Sequence, residues 1–188
     1  MPLLVVSATR AEAAYVPAGL RVVVTGLGKT AAAVATTMAL AEADRDGLTV
    51  VNIGTAGALH DGLSGIYRPG TVLNHDMNAA AIRALGYDPH DELTIDGGDG
   101  SVLASGDVFV TDGAVRAALA RRADLVDMEG YGVAYACRRF GVPARLVKHV
   151  SDNADESALD WPTLVDRSAR ALGSWLERSL EDGAWPRG

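Results

Sequence analysis

The sequence of 188 residues has little of what marks several classes of protein. Cys137 is its single cysteine, so no internal disulfide can form, and we expect a protein of a reducing compartment, the cytoplasm. No stretch reaches the roughly 18 unbroken apolar residues that a membrane-spanning helix needs. The apolar run at the N-terminus is also too short for the core of a secretory leader, and we expect none.

Basic side chains are scarce as well. The chain has 17 Lys and Arg against 24 Asp and Glu, which gives a formal net charge of −7. Such a charge repels the phosphates of nucleic acids and of anionic membranes, so we expect neither as a partner. The four histidines are scattered without the spacing of metal ligands, and we predict no metal and no cofactor.

What the sequence does contain is a succession of short, β-branched apolar runs separated by helical patterns. Apolar strands are predicted at residues 3–7, 20–25, 48–53, 71–74, 102–105, 125–128 and 144–150. Helices are predicted at residues 30–44 and 131–140, with a last long helix whose first turn contains Pro162. Residues 87–100 are predicted to form a loop. The alternation indicates an α/β protein with a largely parallel sheet, a single domain over residues 1–180 and a tail at 181–188.

A glycine turn follows the second predicted strand. The segment Gly26-Leu27-Gly28-Lys29-Thr30 is similar to the end of a phosphate-binding loop, but the glycine that should stand five places before Gly28 is Val23. The turn also satisfies a relaxed dinucleotide fingerprint, yet no acidic residue ends the next strand. We therefore interpret it as a tight strand-to-helix turn.

Acidic residues gather where predicted strands end. Asp127 and Glu129 close one apolar strand, and Asp152 closes the last strand. Glu12 follows the first strand. Because the carboxyl ends of parallel strands share one edge of a sheet, we expect these side chains to meet at a ligand site.

These segments resemble the nucleoside phosphorylase superfamily, and most closely its 5'-methylthioadenosine/S-adenosylhomocysteine nucleosidases. The resemblance lies in Asn52-Ile53-Gly54-Thr55-Ala56-Gly57, in Ser105-Gly106-Asp107-Val108-Phe109-Val110, and in the two acidic strand ends, one with Asp127 and Glu129 and the other with Asp152. It implies a three-layer α/β/α fold with a twisted mixed central sheet and a homodimer. It also implies an enzyme that hydrolyses the N-glycosidic bond of a purine nucleoside, a 5'-modified adenosine.

The resemblance assigns roles residue by residue. Asp152 would be the acid that protonates N7 of the purine, and a carboxyl group can donate only while it carries a proton. Glu12 would activate the attacking water, and Glu129 would bind the ribose hydroxyls. The other residues expected to line the substrate pocket are Met128, Phe109, Val108, Val110, Ser151, Thr55, Ala56 and Trp161.

Two alternatives remain open at the level of the sequence. The first alternative is a phosphorylase, which would bind phosphate with arginines. The phosphorylases of the family carry an arginine at the position where this chain has Asn52. Glu12 would repel phosphate, which favours water, although Arg10 lies two residues away. The second alternative is a nucleoside-binding protein without turnover. The 5' substituent is not determined by the sequence.

Overall fold

The computed structural model of the protein describes residues 2–182. The strands are β1 (Leu3–Ser7), β2 (Arg21–Val24), β3 (Thr49–Ala58), β4 (Ile66–Tyr67), β5 (Thr71–Asn74), β6 (Glu92–Thr94), β7 (Val102–Ser105), β8 (Leu125–Asp127) and β9 (Ala144–Asp152). The α-helices are α1 (Lys29–Glu42), α2 (Ala79–Ala84), α3 (Gly113–Leu119), α4 (Gly130–Phe140) and α5 (Trp161–Glu181), and a short 3₁₀ helix (Glu156–Asp160) precedes α5.

The strands form one mixed sheet in the order β2-β1-β3-β8-β7-β5-β6, and β9 pairs with both β3 and β4. Strand β1 is parallel to β2 and β3, β3 is parallel to β9, and β7 is parallel to β5 and β8. The pairs β3–β8, β4–β9 and β5–β6 are antiparallel. The three-layer α/β/α fold with a mixed central sheet is therefore confirmed.

Strand β1 shows why both faces of the sheet are covered. All five of its residues are buried. Leu3 and Val5 pack in one core cluster with Leu172 of α5. Leu4 and Val6 pack on the opposite face with side chains of α1 and α4, among them Val133. Successive side chains of a strand point to opposite faces, so an unbroken apolar run needs a helical layer on each side.

The predicted loop at residues 87–100 is partly wrong, because it contains β6, and β4 was not predicted either. These strands have three and two residues, too few for a periodic pattern to be recognised. Helices α2 and α3 were also missed, although each begins with a capping side chain. Asn78 accepts a hydrogen bond from Ala81 N at 3.3 Å, and Asp112 accepts one from Ala114 N at 2.7 Å.

The acidic strand ends do not meet at an edge of parallel strands, contrary to the prediction from the sequence. Strand β8 runs antiparallel to β3, and they pair only at Gly57–Val126 and Ala58–Leu125. Strand β3 continues to Ala58, beyond the predicted end at residue 53, and Gly57 also pairs with Asp152 of β9. The ends of β8 and β9 therefore meet beside the end of the long strand β3, which lies between them.

The predicted tail begins at Glu181, which is the last residue of α5. Residues 183–188 lie outside the described residues. The single domain over residues 1–180 stays a prediction.

Candidate active site

A cavity of about 460 Å³ opens at the junction of β3, β8 and β9. All of the predicted site residues line it, namely Glu12, Thr55, Ala56, Val108, Phe109, Val110, Met128, Glu129, Ser151, Asp152 and Trp161. The three carboxylates that the sequence places far apart thus share one cavity.

Glu12 lies in the turn after β1 and is buried. Its Oε1 accepts hydrogen bonds from the backbone N of Thr55 at 2.8 Å and from Thr55 Oγ1 at 3.0 Å. Its Oε2 accepts hydrogen bonds from Thr9 N and Thr9 Oγ1, both at 3.1 Å, and from Ser7 Oγ at 3.5 Å. Every one of these partners donates, so both oxygens of the Glu12 side chain are fixed in place.

Trp161, the first residue of α5, is connected to the same carboxylate. Its indole Nε1 donates a hydrogen bond of 2.8 Å to Thr55 Oγ1, and this hydroxyl in turn donates to Glu12. The tryptophan therefore closes one wall of the cavity and orients the Thr55 hydroxyl.

Glu129 stands directly before α4 and is buried beside other charges. Its Oε1 accepts a hydrogen bond of 2.8 Å from the backbone N of Gly28, in the glycine turn before α1. Burial, together with the carboxylates of Asp127 and Glu12, raises the pKa of Glu129 to about 7. The ammonium of Lys148 and the Gly28 N–H act in the opposite direction.

A buried ion pair lies beneath Glu129. Lys148 Nζ is 2.8 Å from Asp127 Oδ2, and each side chain is 1% exposed. Asp127 Oδ2 also accepts a hydrogen bond from Gly130 N at 2.9 Å, and Asp127 Oδ1 accepts one from Ser105 Oγ. The Ser105 hydroxyl accepts a hydrogen bond of 2.9 Å from Tyr131 N. These contacts attach the start of α4 to strands β7, β8 and β9.

Asp152 ends β9 and is held at both oxygens. Its Oδ1 accepts a hydrogen bond of 2.8 Å from Ala154 N, and its Oδ2 accepts one of 2.6 Å from Ser151 Oγ. A Cβ atom at Gly57 would lie 3.0 Å from Asp152 Oδ1 and 2.8 Å from the Ala154 Cβ. The glycine thus lets the carboxyl group lie close against β3.

Apolar side chains form the mouth of the cavity. Leu27 and Leu159 are 65% and 66% exposed, and Val108 and Phe109 are half-exposed. Val110 is buried in the wall. An exposed apolar rim around a polar floor is typical of a site that binds a small organic molecule.

Hydrogen bonds connect the glycine turn before α1 to the segment Ser105-Gly106-Asp107. The backbone N of Lys29 donates a hydrogen bond of 2.7 Å to Asp107 Oδ1, and Asp107 N donates one of 2.8 Å to Asp76 Oδ2. The ammonium of Lys29 is paired with Asp76. Lys29, which makes the turn similar to a phosphate-binding loop, is therefore already paired with a carboxylate.

Asn52 and Arg10, which bear on phosphate binding, do not line the cavity. Asn52 is buried in β3, and its Nδ2 donates a hydrogen bond of 3.1 Å to the carbonyl of Val6. Arg10 is exposed. Within residues 2–182, every charged side chain that lines the cavity is a carboxylate: Glu12, Asp127, Glu129 and Asp152.

Several residues of the site were missed by the sequence reasoning. Leu27 and Leu159 gave no signal, because a single leucine in a loop can be explained in many ways. Lys148 did give one: a lysine inside an apolar, buried strand needs a buried partner. Asp127 was recognised as part of an acidic junction, but its pairing with Lys148 was not predicted.

Two kinds of feature are absent from the part of the chain that the structure describes. No group of three or more His, Cys, Asp or Glu side chains in residues 2–182 could hold a metal ion. None of the helices in that part of the chain is long and apolar enough to cross a lipid bilayer.

Comparisons with known proteins agree on one family. The model of the Phosphorylase superfamily matches residues 98–181. An aminodeoxyfutalosine nucleosidase of Helicobacter pylori is 36% identical over 84 residues, 43% of this chain, and the match spans only 36% of that relative's length. A 5'-methylthioadenosine/S-adenosylhomocysteine nucleosidase of Shewanella sp. is 29% identical over 183 residues, which cover 79% of this chain and 75% of that protein.

Solved structures agree in fold. A mutant of the Helicobacter pylori 5'-methylthioadenosine/S-adenosylhomocysteine nucleosidase, with 5'-methylthioadenosine in its active site, superimposes with a TM-score of 0.83. The two sequences are 24% identical, and the match covers 96% of this chain and 98% of the other. By its matched segment and its sequence relatives, the chain is similar to the phosphorylase superfamily and to the nucleosidases within it, and it shares their fold.

Proposed function

We propose that the protein hydrolyses the N-glycosidic bond of a purine nucleoside, a 5'-modified adenosine, to the free base and the sugar. The observation that carries the proposal is that Glu12, Glu129 and Asp152 line one cavity of about 460 Å³. A cavity of this size suits a nucleoside. Cleavage of the bond requires a proton for the departing purine, stabilisation of a cation-like sugar, and a water molecule at C1'.

Asp152 is the proposed acid at the leaving group. The hydrogen bonds from Ala154 N and Ser151 Oγ fix the plane of its carboxyl group, so that a proton on the group can be directed at N7 of the purine. Protonation prevents the base from leaving as an anion. Positioned general acid catalysis accelerates a reaction by about 10²–10⁴.

Glu129 is the proposed partner of the ribose. One of its oxygens is held by Gly28 N, which leaves the other free for the sugar hydroxyls. Its ionised form stabilises the cation-like sugar of the transition state more than the neutral sugar of the substrate, and such a difference lowers the barrier. Met128, which also lines the cavity, would pack along the sugar ring.

Glu12 is the proposed base for the attacking water. Hydrogen bonds from Thr55, Thr9 and Ser7 hold its carboxylate in a fixed position at the cavity wall. A water molecule bound there would be oriented toward C1' from the face opposite the departing base. Thr55 and Ala56 line this side of the cavity.

The electrostatics of the cavity support water over phosphate as the nucleophile. The charged side chains that line it, among the described residues, are carboxylates, and they repel a phosphate dianion. The residue in the arginine position of the phosphorylases, Asn52, donates to Val6 O inside the sheet. The sequence relatives are named as nucleosidases, which points the same way.

The side chains at the mouth of the cavity favour a nucleoside with an apolar 5' substituent. Leu27, Val108 and Leu159 offer hydrocarbon and no charge to a group that projects outward from the sugar. An alkylthio or deoxy group suits this rim, whereas a 5'-phosphate would lose hydration among these hydrocarbon side chains. Phe109 would cover one face of the purine.

We propose that the chain forms a homodimer, and we retain the predictions of a cytoplasmic protein that binds neither nucleic acid nor membrane. Val34 and Met38, one turn apart on α1, are more than half exposed and offer an apolar surface to a second copy. Light scattering of the wild type and of the V34E/M38E variant tests this. A wild-type monomer would contradict the dimer.

The function is tested with a panel of adenosine, 5'-deoxyadenosine, 5'-methylthioadenosine, S-adenosylhomocysteine, inosine and adenosine 5'-phosphate. Free base is measured by chromatography in buffer with and without phosphate. We expect base release from 5'-modified adenosines at a rate independent of phosphate, and little from the 5'-phosphate. Strict dependence on phosphate would establish a phosphorylase instead, and tight binding without base release would establish a binding protein.

A further inference from the structure

Lys148 is a buried cation to which the proposed reaction gives no task. Its side chain is 1% exposed, in strand β9, and its Nζ is 2.8 Å from Asp127 Oδ2. A buried ion pair seldom adds stability over apolar residues of the same shape, so stability alone is a weak reason for a lysine here.

The position of Lys148 connects it to both sides of the site. A Cβ atom at Gly54 would lie 3.4 Å from Lys148 Nζ and 3.1 Å from Glu12 Oε1. The missing side chain at Gly54 thus leaves room for both groups over β3. On its other side, the ammonium meets Asp127, which also binds Gly130 N at the start of the helix that Glu129 precedes.

We propose that Lys148 is a positioning residue that favours the ionised form of Glu129 by opposing the charges of Asp127 and Glu12. This inference rests on the proposed function, because it assigns Lys148 a part in that reaction. Lys148 does not line the cavity and would act through the carboxylates.

The charges that face Glu129 come from several elements. Asp127 of β8 and Glu12 after β1 make ionisation of Glu129 less favourable, whereas Lys148 of β9 and the backbone N–H of Gly28 make it more favourable. Without the ammonium, three carboxylates would remain in a site of low water content, and a proton would be bound more tightly. A protonated Glu129 cannot stabilise a cation-like sugar.

The test is the pH dependence of kcat/KM for the wild type, K148M and K148Q. K148M keeps the length of the stem without the charge, and K148Q keeps a donor for Asp127, so the two neutral variants disturb the buried site in different ways. On the acid side of the profile, kcat/KM rises with pH as Glu129 ionises. We expect the midpoint of this rise, the acid limb, to lie about one pH unit higher in both variants than in the wild type. Circular dichroism and thermal unfolding check the fold.

The double variant K148M/D127N removes one charge of each sign. We expect its acid limb to return toward that of the wild type, because the carboxylate that Lys148 opposes is gone. The control R170Q removes a cation from an exposed pair with Asp166 on α5 and is expected to leave the profile unchanged.

The outcomes separate the two proposals. If the wild type releases no base from any nucleoside, the proposed function fails. If the wild type is active and the neutral variants of Lys148 lose activity with an unmoved acid limb, Lys148 is merely structural and the inference is overturned.

Discussion

The backbone N–H of Gly28 donates a hydrogen bond of 2.8 Å to the carboxylate of Glu129, across 101 positions of sequence. Gly28 has a φ of +93°, which a residue with a side chain rarely adopts. A Cβ atom there would also lie 2.9 Å from Asp107 Oδ1. The turn is therefore built to present an N–H group to Glu129.

Gly28→Ala is expected to strain this turn and to displace its N–H from Glu129. We expect a loss of about 1–2 kcal/mol in the free energy of unfolding and a decrease of about tenfold in kcat/KM. The control is Gly62→Ala, at a φ of +84° with open space around the missing side chain. Equal losses of activity in both variants would contradict the role of the turn.

Asp152→Asn is expected to reduce turnover by at least about 100-fold while the fold is kept, because an amide cannot supply the proton that N7 needs. Steady-state base release and thermal unfolding measure the two effects. The control is Asp160→Asn, at an exposed position before α5 that makes no side-chain capping bond. Turnover within a few-fold of the wild type would show that Asp152 is not the acid.

Glu129→Gln is expected to abolish most of the activity and yet to stabilise the protein at alkaline pH. The pKa of Glu129 is raised to about 7, so the folded state binds its proton more tightly than the unfolded state does. The contribution of Glu129 to the free energy of unfolding should therefore fall as the pH rises from about 4.5 to about 7, and the neutral glutamine removes this loss.

Urea unfolding at pH 5 and pH 8 measures this effect. We expect Glu129→Gln to exceed the wild type by about 1–3 kcal/mol at pH 8 and by less at pH 5. The exposed Glu42, at the end of α1, provides the control Glu42→Gln. A variant that is less stable than the wild type at pH 8 would contradict the account of Glu129.

Phe109→Ala is expected to raise KM by about tenfold with little change in kcat, because the half-exposed ring would contact the base and not the reacting atoms. The control is Tyr87→Ala, an exposed aromatic residue that does not line the cavity. A fall in kcat at constant KM would assign Phe109 a different role.

The site was more predictable than the path of the strands. Glu12, Glu129 and Asp152 were predicted to meet because charged residues at the ends of apolar strands are conspicuous and resemble a known family, and the three side chains line one cavity. Their meeting was argued from a parallel sheet, whereas β8 is antiparallel to β3. A strand of three residues carries no periodic signal of its direction, so its pairing could be known only from the folded chain.

The ion pair between Lys148 and Asp127 marks a second limit of sequence reasoning. A lysine in an apolar strand indicates that it has a buried acidic partner. Which of the many acidic residues is that partner depends on three-dimensional packing. Gly54 lies between Lys148 and Glu12 in space, and this could not be derived from a local pattern. Short helices such as α3 were missed for a different reason, since none of the seven residues of α3 is buried and it has no apolar face for a pattern to reveal.

The most direct test of the central claim is the origin of the oxygen at C1' of the sugar product. The reaction is run on 5'-methylthioadenosine in ¹⁸O-labelled water with unlabelled phosphate, and the sugar is analysed by mass spectrometry before it exchanges with solvent. The account predicts one heavy oxygen in the free sugar, released together with one equivalent of adenine. A sugar 1-phosphate as product, or no release of adenine, would contradict it.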